Sequence, residues 1–115
     1  PTQASESLWV DIDNMEVWVE GRRVAVTGQG FTLLKYMYDH AGQLCRRLDL
    51  ATEALGMDLS GYLPAEREDL MKSTINTAIG RLRKDIEPNP SHPKYIVTVR
   101  GAGYRLDLGD VPTER

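Results

Sequence analysis

The sequence predicts an α+β domain built from an N-terminal antiparallel sheet, three helices and a C-terminal β-hairpin. Three observations carry that prediction. Apolar and polar residues alternate over 8–26, Ile75, Ile79, Leu82 and Ile86 recur at i, i+4, i+7 and i+11, and the runs YIVTVR and YRLDL are separated only by Gly-Ala-Gly. Alternation marks half-buried strands, and the second spacing makes one apolar stripe at about 100° per residue. The glycines between two β-branched or aromatic runs supply the positive φ a short hairpin loop needs.

In chain order, PTQASES (1–7) is small and polar and starts with Pro1, so we expect a linker remnant there, a domain over 8–109 and a tail over 110–115. Breaks at Asp13-Asn14 and Gly21-Arg22 divide the first segment into three or four strands, with Leu8, Val10, Ile12, Val17, Val24 and Val26 facing inward and Trp9 and Trp18 structural. Thr27 is the expected N-cap of a helix over 31–40 that turns Phe31, Leu34, Met37 and Tyr38 to one side and stops at Gly42. A second helix is expected over 47–55, with Leu48, Leu50, Ala51, Ala54 and Leu55 apolar and Gly56 as its stop. Pro64 followed by Glu66, Glu68 and Asp69 suits a helix N-terminus, so the third helix should begin well before Ser73. It must end near Glu87, because the three prolines of PNPSHP remove donors and force extended backbone.

Composition narrows the function. Cys45 is alone, which excludes an internal disulfide, fits a reducing compartment and points to a packing role. His40 and His92 have no companions at ligand spacing, so no metal site is expected. Gly101-Ala-Gly103 lies between strands rather than at a strand-to-helix entry, and no nucleophile motif is present; we expect no enzyme and no cofactor. No apolar run approaches the roughly 18 residues of a membrane span, and a cytoplasmic location is expected. The net charge of −3 conceals an asymmetry: residues 72–105 hold seven Lys or Arg against Asp85 and Glu87, a local +5 on a body carrying −8. A patch of one sign on an acidic globule steers a polyanion to one side.

The third helix bears that patch. Opposite its apolar stripe fall Ser73, Thr77, Gly80, Arg81 and Lys84, small, hydroxylated or cationic residues suited to a polyanion with hydrogen-bonding edges. Arg46 and Arg47 stand near the start of the second helix, where the helix dipole disfavours cations, a placement that a nearby phosphate would explain. The run RLRKDIE followed by YIVTVRGAGYRL resembles the C-terminal signature of the OmpR/PhoB-type winged-helix DNA-binding domain, and the match extends back through most of the chain.

That resemblance implies a winged helix-turn-helix in which the third helix enters the major groove of double-stranded DNA and Arg100, on the hairpin or wing, enters the neighbouring minor groove. Carried over position by position, Ser73, Thr74, Asn76, Thr77, Ala78, Gly80 and Arg81 fall on the contact face or its flank, and Arg81, Leu82, Arg83 and Lys84 keep the family pattern, with Arg83 and Lys84 also among the implied DNA-binding residues. Ser73, Asn76, Ala78 and Gly80 depart from it, replacing a frequent arginine, aspartate, histidine and a variable, often basic residue; Gly30 replaces an acidic one. Asn76 and Thr77 suit adenine or thymine edges and Arg81 a guanine or a phosphate. Thr98 and Tyr104 are candidate phosphate donors, although Tyr104 suits packing on the base of the wing equally well. The resemblance further implies a bacterial response regulator in a two-component phosphorelay, with a separate regulatory domain, dimers on tandem sites, and RNA polymerase contact through the acidic 57–71 connection. The competing reading is a winged-helix protein-interaction module with weak or no DNA binding, favoured by the departures at 73, 76, 78 and 80.

Overall fold

Alternation over the first segment produces three short antiparallel strands, β1 (Leu8–Asp11), β2 (Glu16–Val19) and β3 (Arg22–Val24), paired in that order. The computed structural model describes residues 8–26 and 28–108; the expected linker over 1–7, the tail over 110–115 and the Thr27 cap lie outside the described residues. In the register Leu8↔Val19 and Val10↔Val17, these four residues share the buried face. Trp9 and Trp18 pair directly across the other face with ring centroids 6.4 Å apart. Ile12 is a correction to the expected core. It is exposed because the alternation ends at Asp11, whose carboxylate accepts the Asn14 backbone N–H and side-chain amide at 3.2 and 2.9 Å and closes the turn. Val24 and Val26 are only half-buried. Glu20 and Gly21, both at positive φ, make the two-residue turn into β3.

Helix α1 (Gly28–Asp39) starts three residues before the sequence expectation and buries Phe31, Leu33, Leu34 and Met37. Leu33 is inside as well because α1 is covered by more than one neighbour, packing on the helix Pro64–Ile86, on the turn Leu50–Ala54 and on the strand Gly103–Leu106. After α1 comes a strand that no local pattern announces, β4 (Leu44–Arg46). Helix α2 (Arg47–Asp49) passes into a π-helical turn over Leu50–Ala54, where Leu55 N–H donates to the Leu50 carbonyl at 3.0 Å. Leu50 and Ala51 are fully buried, whereas Leu48, another of the helix's apolar residues, is 52% exposed. It lies about 200° round the helix from Leu50, so the two cannot share the core.

Helix α3 (Pro64–Ile86) is 23 residues long and opens with proline in its first turn, while the Glu66 carboxylate accepts the Leu63 N–H at 3.1 Å. The whole predicted stripe is buried, joined by Met71 and Ala78. The hairpin consists of β5 (Ile96–Val99) and β6 (Gly103–Leu106), and β4 pairs with β6 to give a second sheet in the order β4-β6-β5. Gly103 lies opposite Arg46 so closely that a Cβ there would run into the Cys45 carbonyl oxygen. Cys45 itself is buried, in keeping with a packing role.

Two carboxylates connect the parts. Glu87, only 6% exposed, accepts the backbone N–H groups of Lys94, Tyr95 and Ile96 at 2.7–3.2 Å, fastening the end of α3 to the start of β5. Glu20 accepts the Tyr95 hydroxyl at 2.8 Å and pairs with Lys94 at 2.7 Å, joining the first sheet to the same point. Burial and the Glu20 carboxylate push the Tyr95 phenol above its ordinary pKa, so it stays a donor. Glu87→Ala strands three largely buried donors and is expected to cost about 3 kcal/mol in urea unfolding. A loss below about 1 kcal/mol would show that water replaces the carboxylate without penalty.

Candidate nucleic-acid interface

Because the stripe of α3 is buried, its other side faces solvent by geometry: Ser73, Asn76, Thr77, Gly80, Arg81 and Lys84 are exposed and Thr74 is half-buried. Ala78 is the exception among the residues placed at the contact face or its flank. It is 3% exposed and belongs to the core, being one turn from Ile75 and Leu82. Nothing lies within 4 Å of where a Gly80 Cβ would stand, so the glycine serves no contact within the chain and leaves the helix surface low. Beside this face, a shallow cleft between the start of α1 and α3 is lined by Gly28, Gln29, Gly30, Ala78, Arg81, Leu82 and Asp85.

The hairpin is held against α3 by Arg83. Its Nε and one terminal nitrogen donate to the Ile96 carbonyl at 3.2 and 2.7 Å, and the same terminal nitrogen donates to Thr98 Oγ1 at 2.8 Å. Thr98 was expected to meet a phosphate and Arg83 to keep the family pattern of the contact helix as a DNA-binding residue; in the structure they brace the wing, and Thr98, accepting from Arg83, keeps its own hydroxyl proton to give. Arg100 follows β5 at the tip of the hairpin, exposed, beside Gly101 at positive φ.

Tyr104 packs at the base of the wing, as one of its two expected roles required, and is 5% exposed. Its ring has the guanidinium of Arg47 and that of Arg83 each 5.6 Å from the centroid, and its hydroxyl donates to Asn76 Oδ1 at 2.7 Å. Arg47 Nε also donates to that oxygen, at 3.5 Å. Pairing of β4 with β6 makes this cluster possible by setting Cys45 against Tyr104, which brings the next residues, Arg46 and Arg47, to the helix face. Arg46 is exposed and Arg47 half-buried. The sequence carried no signal for this network, since a three-residue strand is too short to show alternation.

The structure also trims the predicted patch. Lys94 is spent on Glu20, and strand alternation puts Arg105 on the hairpin face opposite Tyr104, away from α3. Lost there, positive charge is recovered from Arg46 and Arg47, which lie outside the counted stretch. The acidic residues Glu66, Glu68 and Asp69 are exposed on the first turns of α3, ahead of Ser73.

Residues 21–106 match the family model described as transcriptional regulatory protein, C terminal. The chain is 32% identical over 97 residues to the probable transcriptional regulator ycf27 of Guillardia theta and 34% identical over 97 residues to that of Cyanophora paradoxa, in each case over 84% of its own length. It spans only 35% and 38% of those relatives. Among solved structures it resembles the RstA DNA-binding domain of Klebsiella pneumoniae in complex with the RstA box, at 32% identity and a TM-score of 0.70, covering 89% of this chain and 92% of that one. These are regulatory domains rather than enzymes, and no helix among the described residues is long and apolar enough to cross a membrane. A family model over most of the chain, a winged helix in the structure and a polar helix face beside a braced hairpin agree, and the chain belongs to the OmpR/PhoB-type DNA-binding domains of transcriptional regulatory proteins.

Proposed function

We propose that this domain binds double-stranded DNA sequence-specifically as the effector of a bacterial transcriptional regulator in a two-component phosphorelay. In this reading α3 lies in the major groove and Arg100 in the adjacent minor groove. One observation carries it: an uncovered polar and cationic helix face stands next to a hairpin whose position is fixed by the Arg83 bonds to Ile96 and Thr98. The related RstA domain is solved with its own DNA box, which supports the same mode for this chain.

Ser73, Thr74, Asn76, Thr77 and Arg81 then meet base edges or their flank, and Gly80 lets the duplex approach the helix closely. Lys84, Arg46 and Arg47 serve phosphates, with the Thr98 hydroxyl as a further donor. Tyr104 and Arg83 act by holding the wing. The relatives' greater length supports a separate regulatory domain, and tandem sites suit a homodimer. Exposed Tyr62 and Leu63 followed by an acidic first turn of α3 suit a protein partner for residues 57–71, which we take to be RNA polymerase, in the cytoplasm.

Titration with random duplex at two salt concentrations tests the reading. Four or five phosphate contacts predict a slope of about −4 in log affinity against log salt. A flat dependence, or no binding at low salt, would transfer the function to protein interaction.

A further inference from the structure

Asn76 was expected to suit adenine or thymine edges, and the pairing usual for asparagine on adenine uses both ends of the amide, one donor and one acceptor. The structure removes the acceptor. Its Oδ1 receives the Tyr104 hydroxyl at 2.7 Å and the Arg47 Nε–H at 3.5 Å, while its Nδ2 has no partner among the described residues, on a side chain exposed on the major-groove face of α3. The amide cannot be turned round cheaply. A guanidinium has donors only, so the end of Asn76 that faces Arg47 must be the oxygen, and a flip would set two donors against each other beside a cation. The Tyr104 hydroxyl both donates and accepts, so it is Arg47 that fixes which end of the amide faces inward; Tyr104 itself is buried, with the Arg47 and Arg83 guanidiniums each 5.6 Å from its ring centroid.

From this geometry we infer that Asn76 is a donor-only reading residue that selects keto bases over amino bases. Guanine presents O6 and N7 and thymine presents O4, all acceptors that two N–H groups of one amide can meet. Cytosine offers a donor, N4–H2, which opposes Nδ2. Adenine offers N7 but sets N6–H2 beside it, and the bidentate pairing usual for asparagine on adenine needs the oxygen that Tyr104 and Arg47 occupy. The inference rests on the major-groove reading proposed above and gives one position of the unknown site a base class.

Selection of bound duplexes from a randomised library, done with the full chain and with Asn76→Asp and Tyr104→Phe, tests it. For the unaltered protein one position should favour guanine or thymine over cytosine by about tenfold. Asn76→Asp, nearly the same shape and with its new charge next to Arg47, turns the outward donor into an acceptor, and the preference at that position should invert toward cytosine or adenine. Tyr104→Phe keeps the ring that both guanidiniums approach and removes the shorter of the two bonds to Oδ1, so adenine should become acceptable there. Adenine enrichment by the unaltered protein at the position that responds to Asn76→Asp overturns the inference, as does the absence of any responding position while salt-dependent binding to random duplex persists. Loss of that salt-dependent binding by the unaltered protein overturns the DNA reading itself, which keeps the two failures apart.

Discussion

Gly103→Ala is expected to lower the stability of the domain by about 3 kcal/mol, or about 15 °C in melting temperature. The added methyl group meets backbone, the Cys45 carbonyl and the Arg46 Cα, rather than the end of a side chain that could swing away. β4 and β6 must therefore separate, and with them go the register Cys45↔Tyr104 and the approach of Arg47 to Asn76. Gly101→Ala provides the contrast: a Cβ there meets nothing within 4 Å, so its cost is confined to the positive φ, about 1 kcal/mol. Thermal and urea unfolding of the two variants measure the difference. Equal losses would show that the hairpin is limited by its turn and not by the close passage of β4.

Removing the wing cation is the second large effect. Arg100→Ala should weaken binding about tenfold on duplexes flanked by narrow A·T-rich minor grooves and about twofold on G·C-rich flanks. A long cation at an exposed tip beside a glycine loses little on leaving solvent for a narrow groove, whose negative potential is strongest over A·T tracts. Because Arg100 makes no hydrogen bond or ion pair among the described residues, stability should be unchanged, in contrast to Arg83, whose guanidinium is engaged at Ile96 and Thr98. Anisotropy titrations on the two duplex series check this. Equal losses on both would reduce Arg100 to a phosphate contact.

Several elements were legible in the residues alone. The burial of Ile75, Ile79, Leu82 and Ile86 follows from their spacing, and the early start of α3 follows from Pro64 and Glu66, because both depend on neighbours within one or two turns. The hairpin is local for the same reason. Elements whose partner is distant were not legible. β4 has three residues and exists only because β6 pairs with it, nothing in the composition of the second helix separates exposed Leu48 from buried Leu50, and no local pattern marks Glu87 as the acceptor of three backbone N–H groups seven to nine residues on.

By itself, then, the amino-acid order determined that α3 has one greasy and one polar side, that a glycine hairpin follows it, and that Arg100 stands at its tip. Only the tertiary structure decided which of those polar groups are unengaged. Arg83 is separated from Ile96 by 13 residues, Asn76 from Tyr104 by 28 and from Arg47 by 29, and Glu20 from Tyr95 by 75. A hydrogen bond forms within about 3 Å and along a preferred direction. Periodicity says which way a side chain leaves its own helix or strand, but whether a donor or acceptor waits there depends on how separate elements pack together.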